Sequence, residues 1–261
     1  MIPRKQAANQ EQWLEALENI SKVITKKQID ALVSITVRDI QNVTKGKKAA
    51  YCWSGGKDSI ALEFVTRKAG VKEGVLVISK PLEYPAFLKW VEKNKPPGLE
   101  IVDRGLGLDW LAEHPKMLFP QDGKTAAKWF KLIQHKGQAQ YFKKHGLDML
   151  LLGRRTADGN YTGPKGKNIY TNTQGVTRYS PLAGWSHEQV FALFHYYKLE
   201  LPPFYFWPNG FKVGTGVWPA RQWTGSIENG WAEVYANDPG VIRGAARVIP
   251  SAADFLKNRQ K

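Results

Sequence analysis

Ala49-Ala50-Tyr51-Cys52-Trp53-Ser54-Gly55-Gly56-Lys57-Asp58-Ser59 changes character twice within a few residues. Residues 49 to 53 are small, aromatic or thiol-bearing and contain no breaker, which reads as a strand. Gly55-Gly56 reaches backbone angles closed to other residues and leaves no side chain in the way of a ligand. Asp58-Ser59 then open an apolar run, Ile60, Ala61, Leu62, Phe64 and Val65, that fits a helix packed on a sheet. Such a turn leaves backbone N–H groups unpaired at the helix start. Together with the helix dipole they form a ready site for phosphate.

Downstream, Gly74–Ser79, Leu99–Val102 and Asp148–Gly153 read as further strands, the last almost wholly apolar and so covered on both faces. Helical patterns lie between them, over 84–94 and 125–145, with Gly137 weakening the middle of the second. Strands alternating with helices predict an α/β fold with a parallel twisted sheet and helices on both faces. Ser79, at the end of its strand, falls at the carboxyl edge where ligands bind in open α/β folds. Upstream, residues 10–26 and 28–42 are amphipathic, with Trp13, Leu17, Ile20 and Ile24 at helical spacing in the first, and predict a helical hairpin.

Residues 106–124 read as irregular, anchored by Trp110 and Leu111. The Gly-, Asn- and Thr-rich stretch 153–180 reads as a long functional or mobile connection. Ser186 and Gln189 form the capping-box pattern at the start of a helix over 186–198. Residues 226–259 read as two short helices around Pro239 and Pro250, a small C-terminal helical part. The expected organisation is a hairpin at 1–45, a nucleotide-binding α/β domain at 46–200 and a C-terminal extension at 201–261.

The chain has 261 residues with 43% hydrophobic content, enough for one large core or one core with an appendage. Its 38 Lys+Arg against 23 Asp+Glu leave a formal charge of +15, well beyond what solubility needs, which attracts polyanions such as nucleic acid or phosphorylated substrates. The single cysteine, Cys52, excludes an internal disulfide and an all-cysteine metal cluster within one chain, and its strand position makes it a core residue and not a nucleophile. The five histidines have no ligand spacing, so no protein-held metal is expected. No apolar run has transmembrane length and no signal-peptide core is present, so a soluble, cytoplasmic protein is expected.

Ser54-Gly55-Gly56-Lys57-Asp58-Ser59 resembles the PP-loop of the ATP pyrophosphatase superfamily, and differs from the Walker A pattern, which places four residues between the first Gly and the Gly-Lys pair. Gly153-Arg154-Arg155-Thr156-Ala157-Asp158 resembles the Gly-x-Arg-x-x-acidic element of phosphoadenosine phosphosulfate (PAPS) reductase relatives, which in that family lies beside the nucleotide phosphates. Ser180-Pro181-Leu182-Ala183-Gly184-Trp185-Ser186-His187-Glu188-Gln189-Val190, Leu201-Pro202-Pro203-Phe204-Tyr205 and Asn209-Gly210-Phe211 resemble the segments that follow it. The resemblance runs in order from residue 48 to residue 223. It implies an adenine nucleotide alpha hydrolase-like fold. Where the reductases carry a catalytic cysteine, this chain has Gly214-Thr215-Gly216-Val217-Trp218, and the paired iron–sulfur cysteines of many relatives are missing too. The resemblance therefore implies the nucleotide site without a 4Fe–4S cluster and disfavours sulfonucleotide reduction, which needs a nucleophilic sulfur.

What the resemblance implies for the site is ATP with Mg²⁺, held by Ser54, Gly55, Gly56, Lys57, Asp58, Ser59, Ser79 and Gly153, with the chemistry at the α-phosphorus. Lys57, Asp58, Arg154 and Arg155 are the candidate catalytic residues. Backbone N–H groups of Gly55, Gly56 and Lys57 would bind the leaving pyrophosphate, Lys57 would add a cation, and Arg154 and Arg155 would clamp the α-phosphate. Asp58 either holds the loop by accepting N–H bonds or helps to hold Mg²⁺. Lys165 and Lys167 in the long connection, and Lys128 and Lys131 on the 125–145 helix, are candidate nucleic-acid contacts. Trp207, Trp218 and Trp223, with Phe204, Tyr205 and Phe211, offer stacking surfaces. The expected activity is an ATP pyrophosphatase-type transferase or ligase that cleaves ATP to AMP and pyrophosphate and adenylates an acceptor, with DNA or RNA modification as the setting. The alternative is a nucleotide-dependent nucleic-acid-binding or regulatory protein without turnover. Either is compatible with a homodimer or a partner protein.

Overall fold

The structure is a computed structural model that describes residues 8–259. These residues group into two compact units. The first runs to Leu76 and adds Lys95–Ile101 and Gln138–Gly214; the second comprises Val77–Asn94, Val102–Gly137 and the chain from Thr215 onward.

In the first unit, α1 (Gln10–Glu18), α2 (Ile20–Val23) and α3 (Lys26–Thr44) form the N-terminal helices. The first and last begin with capping boxes, Asn9 with Gln12 and Thr25 with Gln28, so two otherwise orphaned donors are satisfied at each start. On α3 the buried residues Ile29, Val33, Thr36 and Ile40 recur every three or four positions, the inner stripe of an amphipathic helix. Trp13 is the buried anchor of α1.

The sheet has the order β3-β2-β1-β4-β6-β5, from β1 (Ala49–Cys52), β2 (Gly74–Ile78), β3 (Leu99–Asp103), β4 (Met149–Leu151), β5 (Ile169–Thr171) and β6 (Thr177–Tyr179). The boundary between the units falls within β2 and β3. β1 pairs in parallel with β2 and β4, and β4 in parallel with β6. All three residues of β4 are buried, as its apolar run requires. The expected α/β fold, with its mostly parallel sheet and N-terminal helices, is the observed one.

β5 and β6 are an antiparallel hairpin inside the stretch that its composition marked as a connection. Three-residue strands are too short to show an alternating pattern. The hairpin closes where the Asn172 side-chain oxygen accepts from the amides of Gln174 and Val176, and Gly175 takes φ 74. α9 (His187–Tyr197) follows with the expected Ser186–Gln189 capping box. The short α10 (Gly210–Val213) closes the unit.

The second unit is mainly helical. α5 (Pro85–Asn94) buries Phe87, Trp90 and Val91. The region read as irregular holds α6 (Leu108–Glu113), and the C-terminal part has three helices, not two: α11 (Ile227–Asn237), α12 (Pro239–Ala245) and α13 (Pro250–Asn258). Pro239 and Pro250 each sit at a first helical turn, where a missing N–H costs nothing. The long Lys-rich pattern is α7 (Gly123–Phe130), a π-helical stretch Lys131–His135, and α8 (Lys136–Lys144), which from Gln138 on belongs to the first unit. Gly137 does not break it. A Cβ there would run into the Val77 side chain, so close packing and not flexibility explains the glycine.

Candidate functional site

The chain leaves β1 toward β2 on one side, and β4 returns on the other. The crevice outside the carboxyl ends of β1 and β4 is therefore the topological switch point, where open α/β sheets bind ligands. The loop after β1 leads directly into α4 (Lys57–Lys68). Gly55 has φ 68, a left-handed angle that suits glycine. Gly56 is the N-cap of α4, and no side chain caps that helix start. Among the described residues no acceptor takes the N–H of Gly55 or Gly56. Ser54 lies exposed beside them and its hydroxyl is bonded to that of Ser59, which in turn donates to the Gly56 carbonyl. Gly153, at the end of β4, comes up underneath. A Cβ on it would lie 2.9 Å from the Asp58 carbonyl oxygen, so the strand and the helix start approach this closely only because residue 153 is glycine.

Below the loop lies a buried ionic network. Lys57 Nζ donates to both oxygens of Asp58 at 2.9 and 2.8 Å, and sits 3.7 Å from Asp158 Oδ1. Arg155 Nε donates to Asp58 Oδ1 at 2.8 Å, and its Nη2 donates to Asp158 Oδ2 at 2.9 Å and to His187 Nδ1 at 3.1 Å. Its Nη1 donates to the Trp185 carbonyl. The Arg155 side chain is 0% exposed and that of Lys57 2%. Two cations and two carboxylates balance, which is what makes charge at this depth tolerable.

This arrangement bears on three expectations. Lys57 does not present its ammonium outward, because two carboxylates hold it inward, and its amide N–H is taken by the buried Tyr205 hydroxyl at 3.0 Å. Arg155 is not a phosphate clamp here, since its guanidinium is buried among protein acceptors. The Asp58 carboxylate accepts from Lys57 and Arg155. Asp158, His187, Tyr205 and Trp13 complete the site and were not singled out by sequence, although Asp158 is the acidic letter of the 153–158 element. Trp13 lies edge-on to His187, with ring centroids 4.7 Å apart, and its ring faces Lys57 Nζ at 5.9 Å.

Arg154 differs from its neighbour. Its partners are neutral, the Tyr161 carbonyl at 3.2 Å and the Tyr170 hydroxyl at 3.3 Å, and no carboxylate pairs with it among the described residues. Burial pulls its guanidinium below the ordinary arginine value, and the nearby Arg178 adds like charge. Cys52 lies in β1, where burial pushes the thiol up to about 12, the opposite of what a nucleophile requires. Ser79 belongs to the second unit, fully buried, with its hydroxyl donating to the Leu106 carbonyl. Lys165 and Lys167 are exposed on the connection of the first unit, and Lys128 and Lys131 are exposed in the second. Among the described residues no group of three or more His, Cys, Asp or Glu side chains has metal-site geometry, and no helix is long and apolar enough to cross a membrane.

Residues 48–212 match the family described as the phosphoadenosine phosphosulfate reductase domain. The chain belongs to this family. The PAPS reductase domain begins one residue before β1 and ends within α10, so it takes in the loop, Gly153 to Asp158, His187 and Tyr205, and leaves out α1–α3. Among solved structures, a phosphoadenylyl-sulfate (PAPS) reductase from Candida auris, in a phosphate complex, is similar with a TM-score of 0.48 and 14% identity, over 69% of this chain and 90% of that one. A comparison with curated proteins gives no match.

His187 supplies a pH dependence within this domain. A guanidinium can only donate, so Nδ1 carries the lone pair and the ring is neutral with its proton on Nε2. Burial, then the charges of Arg155 and Lys57, push its pKa down to about 4. The unfolded chain takes up this proton near pH 6.5, while the folded one refuses it until about pH 4. The stability contributed by neutral His187 is thus full above pH 6.5 and lost progressively as pH falls toward 4. Urea midpoints at pH 7.5 and pH 5 should drop for the wild type, and the drop should shrink in His187→Gln. An equal drop in both would assign the effect to other groups.

Proposed function

We propose that this family member binds ATP at the start of α4 and cleaves it between the α- and β-phosphates, releasing pyrophosphate and passing AMP to an acceptor. The observation that carries this reading is the pair of uncapped amides, Gly55 and Gly56, held at the sheet's switch point over a rigid ionic network. Backbone N–H groups fixed in this way stabilise a pyrophosphate as its charge grows, without reorganising. Arg154, a cation whose protein partners are neutral, is the side chain best suited to meet charge developing at the α-phosphorus. Lys57, Asp58, Arg155 and Asp158 act through the loop as positioning residues.

With the Asp58 oxygens engaged by two cations, Mg²⁺ would arrive on the nucleotide, held by its phosphates and water. It would supply charge neutralisation on the departing pyrophosphate. Sulfonucleotide reduction is disfavoured because the chain brings one thiol, Cys52, half-buried in β1 and held protonated by desolvation. The formal charge of +15 favours nucleic acid as the acceptor class.

The test uses ATP labelled at the α- or the γ-phosphate, with single-stranded DNA and RNA as candidate acceptors. AMP and pyrophosphate are the expected products. Gly56→Val should abolish ATP binding measured by calorimetry. Arg154→Ala should slow turnover by about 100-fold while changing ATP affinity far less, the signature of a contact that strengthens in the transition state. ADP and inorganic phosphate as main products would refute the assignment. ATP binding with no product on any acceptor would favour the regulatory reading.

A further inference from the structure

In the second unit two residues other than glycine adopt left-handed backbone, Phe119 (φ 45) and Trp223 (φ 59). Bulky side chains rarely do so. For Phe119 the cause is packing. It is 1% exposed, its ring stands edge-on to Trp231 with centroids 5.0 Å apart, and residue 230 is a glycine whose Cβ would run into that ring. Trp223 has no such reason. It is 59% exposed and has no ring partner among the described residues.

Hydrogen bonds hold Trp223 in place from both sides. Its N–H donates to the Pro120 carbonyl at 3.3 Å. The Gln121 side chain donates to Thr224 Oγ1 and accepts from the Gly225 amide, both at 2.9 Å. Asn229 Nδ2 donates to the Thr224 carbonyl. The backbone is thus stitched into a shape that keeps an indole in solvent. Strain that packing does not explain points to use of the side chain itself.

Gln121 also leads into Asp122, the N-cap of α7. The Asp122 carboxyl is held below the usual carboxylate range chiefly by the Thr125 amide, and Lys128 is close enough to contribute. Along this helix Lys124, Lys128 and Lys131 are exposed and none is in an ion pair among the described residues. Phe130 is 48% exposed among them. From Gly123 to Gly137, within this unit, the chain has four lysines and no Asp or Glu.

We propose that this face binds single-stranded nucleic acid, with an unpaired base stacked on Trp223 and the backbone phosphates on Lys124, Lys128 and Lys131. An exposed indole on a segment tied to the start of a lysine-bearing helix matches the two needs of a single strand, a π-surface for the base and cations for the phosphates. A duplex hides its base faces and would use the lysines alone. The purpose of the surface rests on the nucleic-acid acceptor of the reading above. Binding is measured without ATP, so either can fail while the other holds.

The test is fluorescence anisotropy of the full chain with a labelled mixed-sequence 20-nucleotide single-stranded DNA, the matching RNA and a duplex, over a salt series. Trp223→Gly suits the left-handed backbone, so its Tm should stay level or rise while affinity for the single strand falls by about tenfold or more. Trp223→Phe should keep most of the affinity. Lys128→Ala should weaken binding to every sequence alike and lower the salt slope by about one. Wild-type affinity in Trp223→Gly, tighter binding to the duplex, or no binding at low salt overturns the proposal. So does an equal loss of affinity for polyglutamate in Trp223→Gly, which would assign the face to an acidic protein. Should Trp223→Gly not fold, Trp223→Asn, also compatible with that backbone, gives the same readout.

Discussion

Arg155→Met should destabilise the fold by about 3–5 kcal/mol, the cost of removing one side of a buried ion pair and leaving the other. The guanidinium is 0% exposed and donates to Asp58, Asp158, His187 and the Trp185 carbonyl. In the variant, Lys57 alone faces two carboxylates, of which Asp158 is only 5% exposed. Two acceptors also lose their donor without gaining a solvent partner. Neutralising the stranded carboxylate should recover part of the loss. Arg155→Met combined with Asp158→Asn should be less destabilised than the sum of the single changes, with a coupling of about 1–3 kcal/mol. Urea unfolding of the four proteins measures it. Strict additivity would show that Arg155 and Asp158 do not act as a unit.

Trp13→Ala should cost about 3–5 kcal/mol as well, the usual range for truncating a fully buried tryptophan. Its ring is 0% exposed, stacked on Phe211 with centroids 5.1 Å apart and edge-on to Phe191 and His187. α1 is clipped to the same segment by Gln10, whose side chain donates to the Tyr205 carbonyl at 2.7 Å and accepts from the Phe211 amide. Trp13 lies outside the matched residues 48–212, yet its ring faces the Lys57 ammonium. The cavity would therefore open beside the nucleotide loop and not at a remote surface. Trp13→Phe should lose much less stability and keep the nucleotide affinity proposed above, while Trp13→Ala should lose both. A Trp13→Ala protein with wild-type stability would mean that α1 contributes no packing to this unit.

Much of this protein follows from its sequence alone. The strand, glycine pair and helix at 49–65 form by local rules, because small and apolar residues extend, glycine turns and an apolar stripe coils. The capping box at Ser186 and Gln189 and the wholly apolar β4 are likewise legible, since each depends on residues within a few positions of one another. The family was readable for the same reason, through short motifs kept in order.

What the tertiary structure decided is where each charge goes. Arg155 meets Asp58 across 97 residues of sequence, and the Lys57 amide meets Tyr205 across 148. No local pattern encodes pairings at that range. Arg154 and Arg155 are chemically equal in the sequence, but residue 155 has extended backbone, φ −130 and ψ 143, so neighbouring side chains point to opposite sides. One guanidinium enters the ionic network and the other is left with neutral partners. The same holds for the lysine of the loop. Its cation is drawn into the buried carboxylates, because a desolvated charge must be paired, and the Gly55 and Gly56 amides are left without a protein acceptor among the described residues.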